Sequence, residues 1–289
     1  MLISLFDSPS RVDVAVDNAQ RSRSMGLHRY WVNQVSAADT MVTLGVVASK
    51  VPDILFGTSV MAMQTMLPHT MAQQALTVNQ ISGGRFTLGL GVNHEPVVAG
   101  MWGLPWEKPY SHFVEYLNAL QPLLAEQKVQ TSGEWVTSNT RIQVPADPPD
   151  MMLAALGPRM LRLAAERSVG TITWMTGPNT IRDHIRPNIG DDRQIVAGIG
   201  LIVTDDVDAA RERANKVLAI YPQLPSYRSV MEREGVTEAA DLVLIGNAEQ
   251  VTERLQLYAA AGTDEVAVSR MGDDAQNEAA WQVLEKFES

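Results

Sequence analysis

The 289-residue sequence contains no cysteine, which removes disulfides, thiol nucleophiles and cysteinyl metal sites together. Positive charge is scarce as well: 23 Lys and Arg stand against 33 Asp and Glu, a formal net charge of −10. That balance offers no basic face to neutralise a phosphate backbone, so nucleic acid is not an expected partner. A small anionic ligand remains compatible with it, because a helix N-terminus supplies local positive potential whatever the net charge. Long apolar runs are missing too. The opening MLISLFDSPSRVDVA lacks a basic leader and reads as a first strand rather than a signal or anchor. The cytoplasm is the expected compartment, with no membrane partner. After that strand stands LFDSPSRVD in place of a Gly-x-Gly-x-x-Gly turn, which disfavours a doubly wound nicotinamide dehydrogenase.

With 45% apolar and 19% charged residues the composition is that of an ordinary globular enzyme. Short apolar or β-branched runs occur at Leu2–Phe6, His28–Asn33, Leu55–Val60, Phe86–Gly91, Met151–Ala155, Gly170–Trp174, Val196–Val203 and Glu265–Ser269, as buried parallel strands require. Helical spacing fills the intervals, including Val12–Met25, Asp39–Ala48, Pro68–Ile81, Phe113–Leu124, Pro158–Arg167, Asp206–Leu218 and Asn247–Ala261. Strict alternation implies a parallel sheet with helical crossovers, and eight strands favour a closed (β/α)8 barrel spanning residues 1–289 as one domain. Residues 95–150 exceed what a crossover helix needs and carry Trp102, Pro105, Trp106, Pro109, Gly133 and Trp135; they read as an inserted flap after the fourth strand.

The most informative stretch runs from Gly57 to His94, GTSVMAMQTMLPHTMAQQALTVNQISGGRFTLGLGVNH. It reads as a strand, a Met-rich turn, a helix, a Gly-Gly-Arg turn and a second strand. With PYSHFVEYLNALQPLL, AALGPRMLRLAAE, GTITWMTGP, VTDDVDAAR and LPSYRSVMEREG in that order, the chain resembles the luciferase-like superfamily of oxidoreductases, in particular an actinobacterial-type subfamily of its coenzyme F420 (deazaflavin) branch. The resemblance implies a barrel that is often a homodimer. It also implies that the third strand ends in a bulge with a non-prolyl cis peptide behind the deazaflavin ring, a place that Ser59 and Val60 occupy. The turn after the fifth strand, Ala155-Leu156-Gly157-Pro158-Arg159, is then a contact for the coenzyme's phosphate. Read without the resemblance it is equally a tight βα turn, with Gly allowing close approach and Pro suiting a first helical turn.

Val92, Asn93 and His94 follow the fourth strand, where the resemblance places coenzyme contacts and an acid–base group. His94 is the candidate proton donor or acceptor for hydride transfer. Relatives often end the second strand in an acidic residue and His, whereas this chain has Trp31-Val32-Asn33-Gln34. Gln34 can hydrogen-bond coenzyme or substrate but cannot act as a base, so His94 and Gln34 are the candidate catalytic pair, and reduction of an activated double bond is favoured over alcohol oxidation. Trp174 and Met175 end the sixth strand and are candidate ring contacts. Gly83-Gly84-Arg85 is read as a stabilising turn on the far face, its arginine paired with a carboxylate. His112 and Glu115, one turn apart, are read as a solvated pair or a cap contact, with no metal site. The expected function is hydride transfer between F420 and a small, mainly apolar substrate; the alternatives are an FMN-dependent monooxygenase and a non-catalytic coenzyme-binding barrel.

Overall fold

The computed structural model describes residues 1–34 and 36–288. In chain order the main elements are β1 (Leu2–Asp7), α1 (Val12–Ser24), β2 (Arg29–Val32), α2 (Thr40–Lys50), β3 (Leu55–Thr58), β4 (Met61–Ala62), α3 (Pro68–Ser82), β5 (Phe86–Gly91), α4 (Pro109–Ala125), β6 (Lys128–Ser132), β7 (Thr137–Arg141), β8 (Asp150–Ala154), α5 (Pro158–Arg167), β9 (Gly170–Trp174), α6 (Pro178–Thr180), α7 (Arg186–Ile189), β10 (Gln194–Val203), α8 (Val207–Val217), α9 (Pro225–Glu234), β11 (Leu244–Gly246), α10 (Ala248–Ala260), β12 (Glu265–Arg270) and α11 (Asp274–Glu288). The larger sheet runs β11-β10-β12-β1-β2-β3-β5-β8-β9, and β9 also pairs with β10. The eight strands from β10 round to β9, leaving out the short β11, therefore close into the parallel barrel. They are the eight read from the sequence.

Helix starts follow their caps. Asp39, Asp206 and Asn247 accept from the backbone amides of Val42, Ala209 and Gln250, satisfying donors that a helix leaves open. Elements that sequence periodicity does not assign include the β6–β7 hairpin, β11, α9 and α11. Thr137–Arg141, sequence TSNTR, shows why: the strand is polar throughout and largely exposed, so no hydrophobic alternation marks it.

The chain packs as two compact units. One comprises Ser8–Ala19 and Val32–Ala154. In it Gly83, at φ 67°, ends α3 in the left-handed region, and the chain turns directly into β5. The Arg85 guanidinium is attracted by the Asp53 carboxylate, but its described hydrogen bonds do not go there. It donates instead to the carbonyls of Ala48, Val51, Ile54 and Ser82 at 2.8–3.1 Å. Ala48 lies in the last turn of α2 and Val51 is its C-terminal cap, carbonyls that an intact helix leaves without partners. The 95–150 segment contains the crossover helix α4 and the antiparallel β6–β7 hairpin. Glu115 of α4 interacts electrostatically with His112 one turn away, and its carboxylate also accepts from the amides of Glu134, Trp135 and Val136 at 2.7–3.2 Å, fastening the hairpin turn. An added Cβ on Gly133 would collide with it.

The other unit comprises Met1–Asp7, Gln20–Trp31 and the chain from Ala155 onward. Its floor is organised by Glu265, 3% exposed at the start of β12. Ser4 Oγ and Trp31 Nε1 each donate to Oε1 at 2.6 Å, and Arg29 donates to Oε2 at 3.1 Å. The Arg29 guanidinium also lies 4.8 Å from the centre of the Trp31 ring. One carboxylate thus joins β1, β2 and β12. On the flank, Trp281 of α11 is bracketed by Arg21 at 4.7 Å and Arg270 at 4.3 Å, favourable cation–ring contacts. We expect Glu265→Gln to lower unfolding free energy by about 3 kcal/mol, the usual scale for breaking a buried ion pair. Urea denaturation measures it, and a loss under about 1 kcal/mol would show that the floor tolerates a neutral amide.

Candidate active site

In the first unit, the β3–β5 ladder loses its register where the resemblance implied a bulge. Phe56 pairs with Phe86, thirty positions on, whereas Met61 pairs with Leu90, twenty-nine positions on. One extra residue is therefore accommodated between them, and β3 stops at Thr58 rather than reaching Val60. Thr58 repairs the interrupted ladder with its side chain, accepting from Gly89 N and donating to Gly89 O, both at 2.8 Å. The next peptide bond, Ser59–Val60, is cis, as the resemblance implied. Val60 is held against β5 so closely that a Cβ on Gly91 would stand 2.9 Å from Val60 Cγ2 and 3.1 Å from Ala154 Cβ. Glycine is required there by space.

Two glutamines brace this turn. Gln34, just past β2, accepts from Ala62 N at 2.7 Å and donates to Thr65 Oγ1 at 3.1 Å. Its amide therefore holds the Met61–Thr65 turn, and its expected role shifts from chemistry toward positioning. Gln64, which no sequence signal marked, donates to Val92 O at 2.7 Å and so links the same turn to the end of β5. Beyond Val92, Asn93 adopts φ 57°, a left-handed conformation that Asn tolerates better than most residues, and its side chain accepts from His94 N at 2.8 Å. His94 is half-buried, and burial holds its imidazole below the ordinary histidine value. It is followed by a wide π-helical turn at Pro96–Met101, whose start is fixed by Val97 and Val98 amides on His94 O.

In the second unit the turn after β8 runs from buried Ala155 through half-buried Leu156 to exposed Gly157, Pro158 and Arg159. Pro158 opens α5, and Gly157 is its N-cap with no side-chain cap. An uncapped helix start of this kind can face an anion. At the end of β9, Trp174 stacks on Phe6 with ring centres 4.9 Å apart. Met175, expected to contact the ring, is wholly buried at φ 50° in a cluster with Ile202, Leu218, Tyr227 and Val243. Its side chain is a core element, so only its backbone could reach a ligand from this position.

The chain as a whole has relatives among known proteins. The luciferase-like monooxygenase family matches residues 6–265. The chain belongs to that family. A Mycobacterium tuberculosis protein whose name proposes a coenzyme F420-dependent oxidoreductase is 28% identical over 84% of this chain and 76% of its own length. Among solved structures, the coenzyme F420-dependent tetrahydromethanopterin reductase of Methanopyrus kandleri superposes with a TM-score of 0.83 at 19% identity, covering 99% of this chain and 97% of the other. An FMN-bound type II Baeyer–Villiger monooxygenase from Pseudomonas putida gives 0.76 at 14%, covering 100% and 97%. For this luciferase-like chain the two structural likenesses establish the fold, which both cofactor classes share.

The burial of His94 has a measurable consequence. Because its folded value lies below the unfolded one, the unfolded chain binds more protons in the interval between them. Stability from the neutral imidazole is complete above about 6.5, the unfolded value, and is lost as pH falls through the folded value. We expect the His94 ring resonances to titrate below 6.5 in NMR; a titration at or above that value would remove the buried, neutral assignment.

Proposed function

We propose that this luciferase-like protein is a coenzyme F420-dependent oxidoreductase that moves a hydride between the deazaflavin and a small, mainly apolar substrate, with reduction of an activated C=C or C=N bond favoured. The observation that carries this reading is the open N-terminus of α5. Gly157 leaves free space where a Cβ would stand, and no side chain caps the helix, as a phosphate approaching backbone amides requires. Ser59 Oγ, buried beside the cis peptide with no hydrogen-bond partner, adds an acceptor that a ring N–H or hydroxyl can satisfy after a small shift. The residues present therefore fit the coenzyme. The relative from M. tuberculosis supports the same cofactor class.

When bound, the deazaflavin supplies or accepts the hydride at its carbon 5. The chain's own residues would do the rest. Ser59, Val60, Val92 and Asn93 would support the ring, Trp174 would offer an aromatic edge, and the Leu156–Arg159 turn would hold the phosphate. Arg159 would add a charge-assisted contact. His94 would hold or deliver the proton that accompanies the hydride. Its depressed value makes it a stronger acid that is less populated in protonated form at neutral pH, so a reduction that uses it should accelerate as pH falls toward that value. Gln34 would keep the ring-supporting turn in place. The protein would act in the cytoplasm, the compartment its cysteine-free composition favours, and as a homodimer, as its resemblance to the deazaflavin branch implies.

A second reading, an FMN-dependent monooxygenase, rests on the likeness to the FMN-bound enzyme; a coenzyme-binding barrel without turnover is the third. Parallel titrations with F420, FMN and NADPH separate them. We expect F420 to bind at least about tenfold more tightly than FMN, a difference of about 1.4 kcal/mol, and equal or tighter FMN binding would put the monooxygenase first. We expect His94→Ala to slow single-turnover oxidation of reduced F420 roughly 100-fold with little change in coenzyme affinity. An unchanged rate in a folded variant rules out the proton role.

A further inference from the structure

The phosphate turn is held from behind by a residue that its own segment gives no hint of. His184 lies 28 positions after Leu156, and its Nε2 stands 2.8 Å from the Leu156 carbonyl oxygen. The acceptor is a carbonyl, so the ring must carry its proton on Nε2 and donate. His184 belongs to a π-helical turn, Ile181–Ile185, set between α6 and α7, and this kind of widened turn recurs where a helix has to present a particular side chain. Its backbone is secured in turn, since Asn188 Nδ2 donates to His184 O at 2.8 Å.

The geometry of a peptide unit gives the contact its meaning. The carbonyl of Leu156 and the amide N–H of Gly157 share one plane and, in a trans peptide, point in opposite directions. Fixing the carbonyl toward His184 fixes the Gly157 N–H away from it. Gly157 is the uncapped N-cap of α5 at φ −87°, ψ 153°. Its amide orientation would otherwise be set only by the flanking chain, and glycine restrains that chain less than any other residue.

We propose that His184 is a positioning residue for the coenzyme: by holding the Leu156 carbonyl it orients the Gly157 amide toward the anionic group that the α5 N-terminus receives. This rests on the reading of Leu156–Arg159 as the phosphate turn. His184 touches neither substrate nor reacting atoms, so removing it costs affinity rather than chemistry.

The test is fluorescence titration of the intact protein with F420, beside melting temperatures and single-turnover rates at saturating coenzyme. His184→Ala should raise the F420 dissociation constant about tenfold and leave the saturated rate nearly unaltered. His184→Gln, whose amide nitrogen falls close to the position of Nε2, should recover most of the affinity. Should the Ala variant not fold, His184→Met fills the same volume without a donor and should show the same loss. Gly157→Ala is the control for the underlying reading, because the structure has room for the new Cβ and only a ligand pressed against the backbone would meet it. Weakened binding in Gly157→Ala with wild-type affinity in folded His184→Ala or His184→Met overturns the positioning role. Wild-type affinity in Gly157→Ala as well removes the phosphate turn itself. A fall in melting temperature with no change in affinity reduces His184 to a structural contact and also overturns the proposal.

Discussion

Within the unit formed by the chain's two ends, order rests on one buried carboxylate. Glu265 opens the last barrel strand, and its two oxygens collect the Ser4 hydroxyl, the Trp31 indole and the Arg29 guanidinium. An ionised group taken from water is tolerated only if it is paired and hydrogen-bonded, and here the Ser4, Arg29 and Trp31 donors come from the first two strands. A residue near position 265 therefore fixes residues near positions 4 and 30. The two ends of a long chain are joined at the start of the strands, and the opposite strand ends are left to the loops.

Those strand ends carry a different kind of order. At the close of β3 the ladder takes in an extra residue, and side chains replace the missing main-chain partners: Thr58 bridges to Gly89, Gln34 holds Ala62, and Gln64 holds Val92. Left-handed backbone at Asn93 and Met175 falls in the same loop class, immediately after β5 and β9. Non-glycine residues in that region persist only where their surroundings over-determine them, and they gather at functional sites. At Gly83 a glycine makes a left-handed helix end with no neighbouring atom near a Cβ position, the less strained solution.

Glu115 and Arg85 illustrate how charge is used in this fold. Each interacts electrostatically with a nearby side chain, Glu115 with His112 and Arg85 with Asp53, yet the hydrogen bonds of both go to the backbone. Glu115 gathers three amides of a hairpin turn, and Arg85 gathers carbonyls at a helix end. Backbone groups left open by turns and helix termini are as demanding as charged side chains, and a single multivalent side chain can satisfy several at once. The residue types are visible in the sequence; the open backbone groups they answer are not.

The sequence by itself determined the alternation of strands and helices, the eight barrel strands to within a few residues, the helix starts near Asp39, Asp206 and Asn247, and, through its likeness to relatives, the bulge and cis bond at Ser59–Val60. Each of these is local or repeats with a period, so it leaves a mark within a short window. Tertiary structure alone decided that Met175 packs inward, that Gln34 braces a turn 28 positions away, that Gln64 meets the Val92 carbonyl and His184 the Leu156 carbonyl, and that the polar strand TSNTR pairs at all. These depend on which segments a closed barrel brings side by side. Spacing along the chain does not encode such a contact, because the distance between its partners is set by the folds of everything in between.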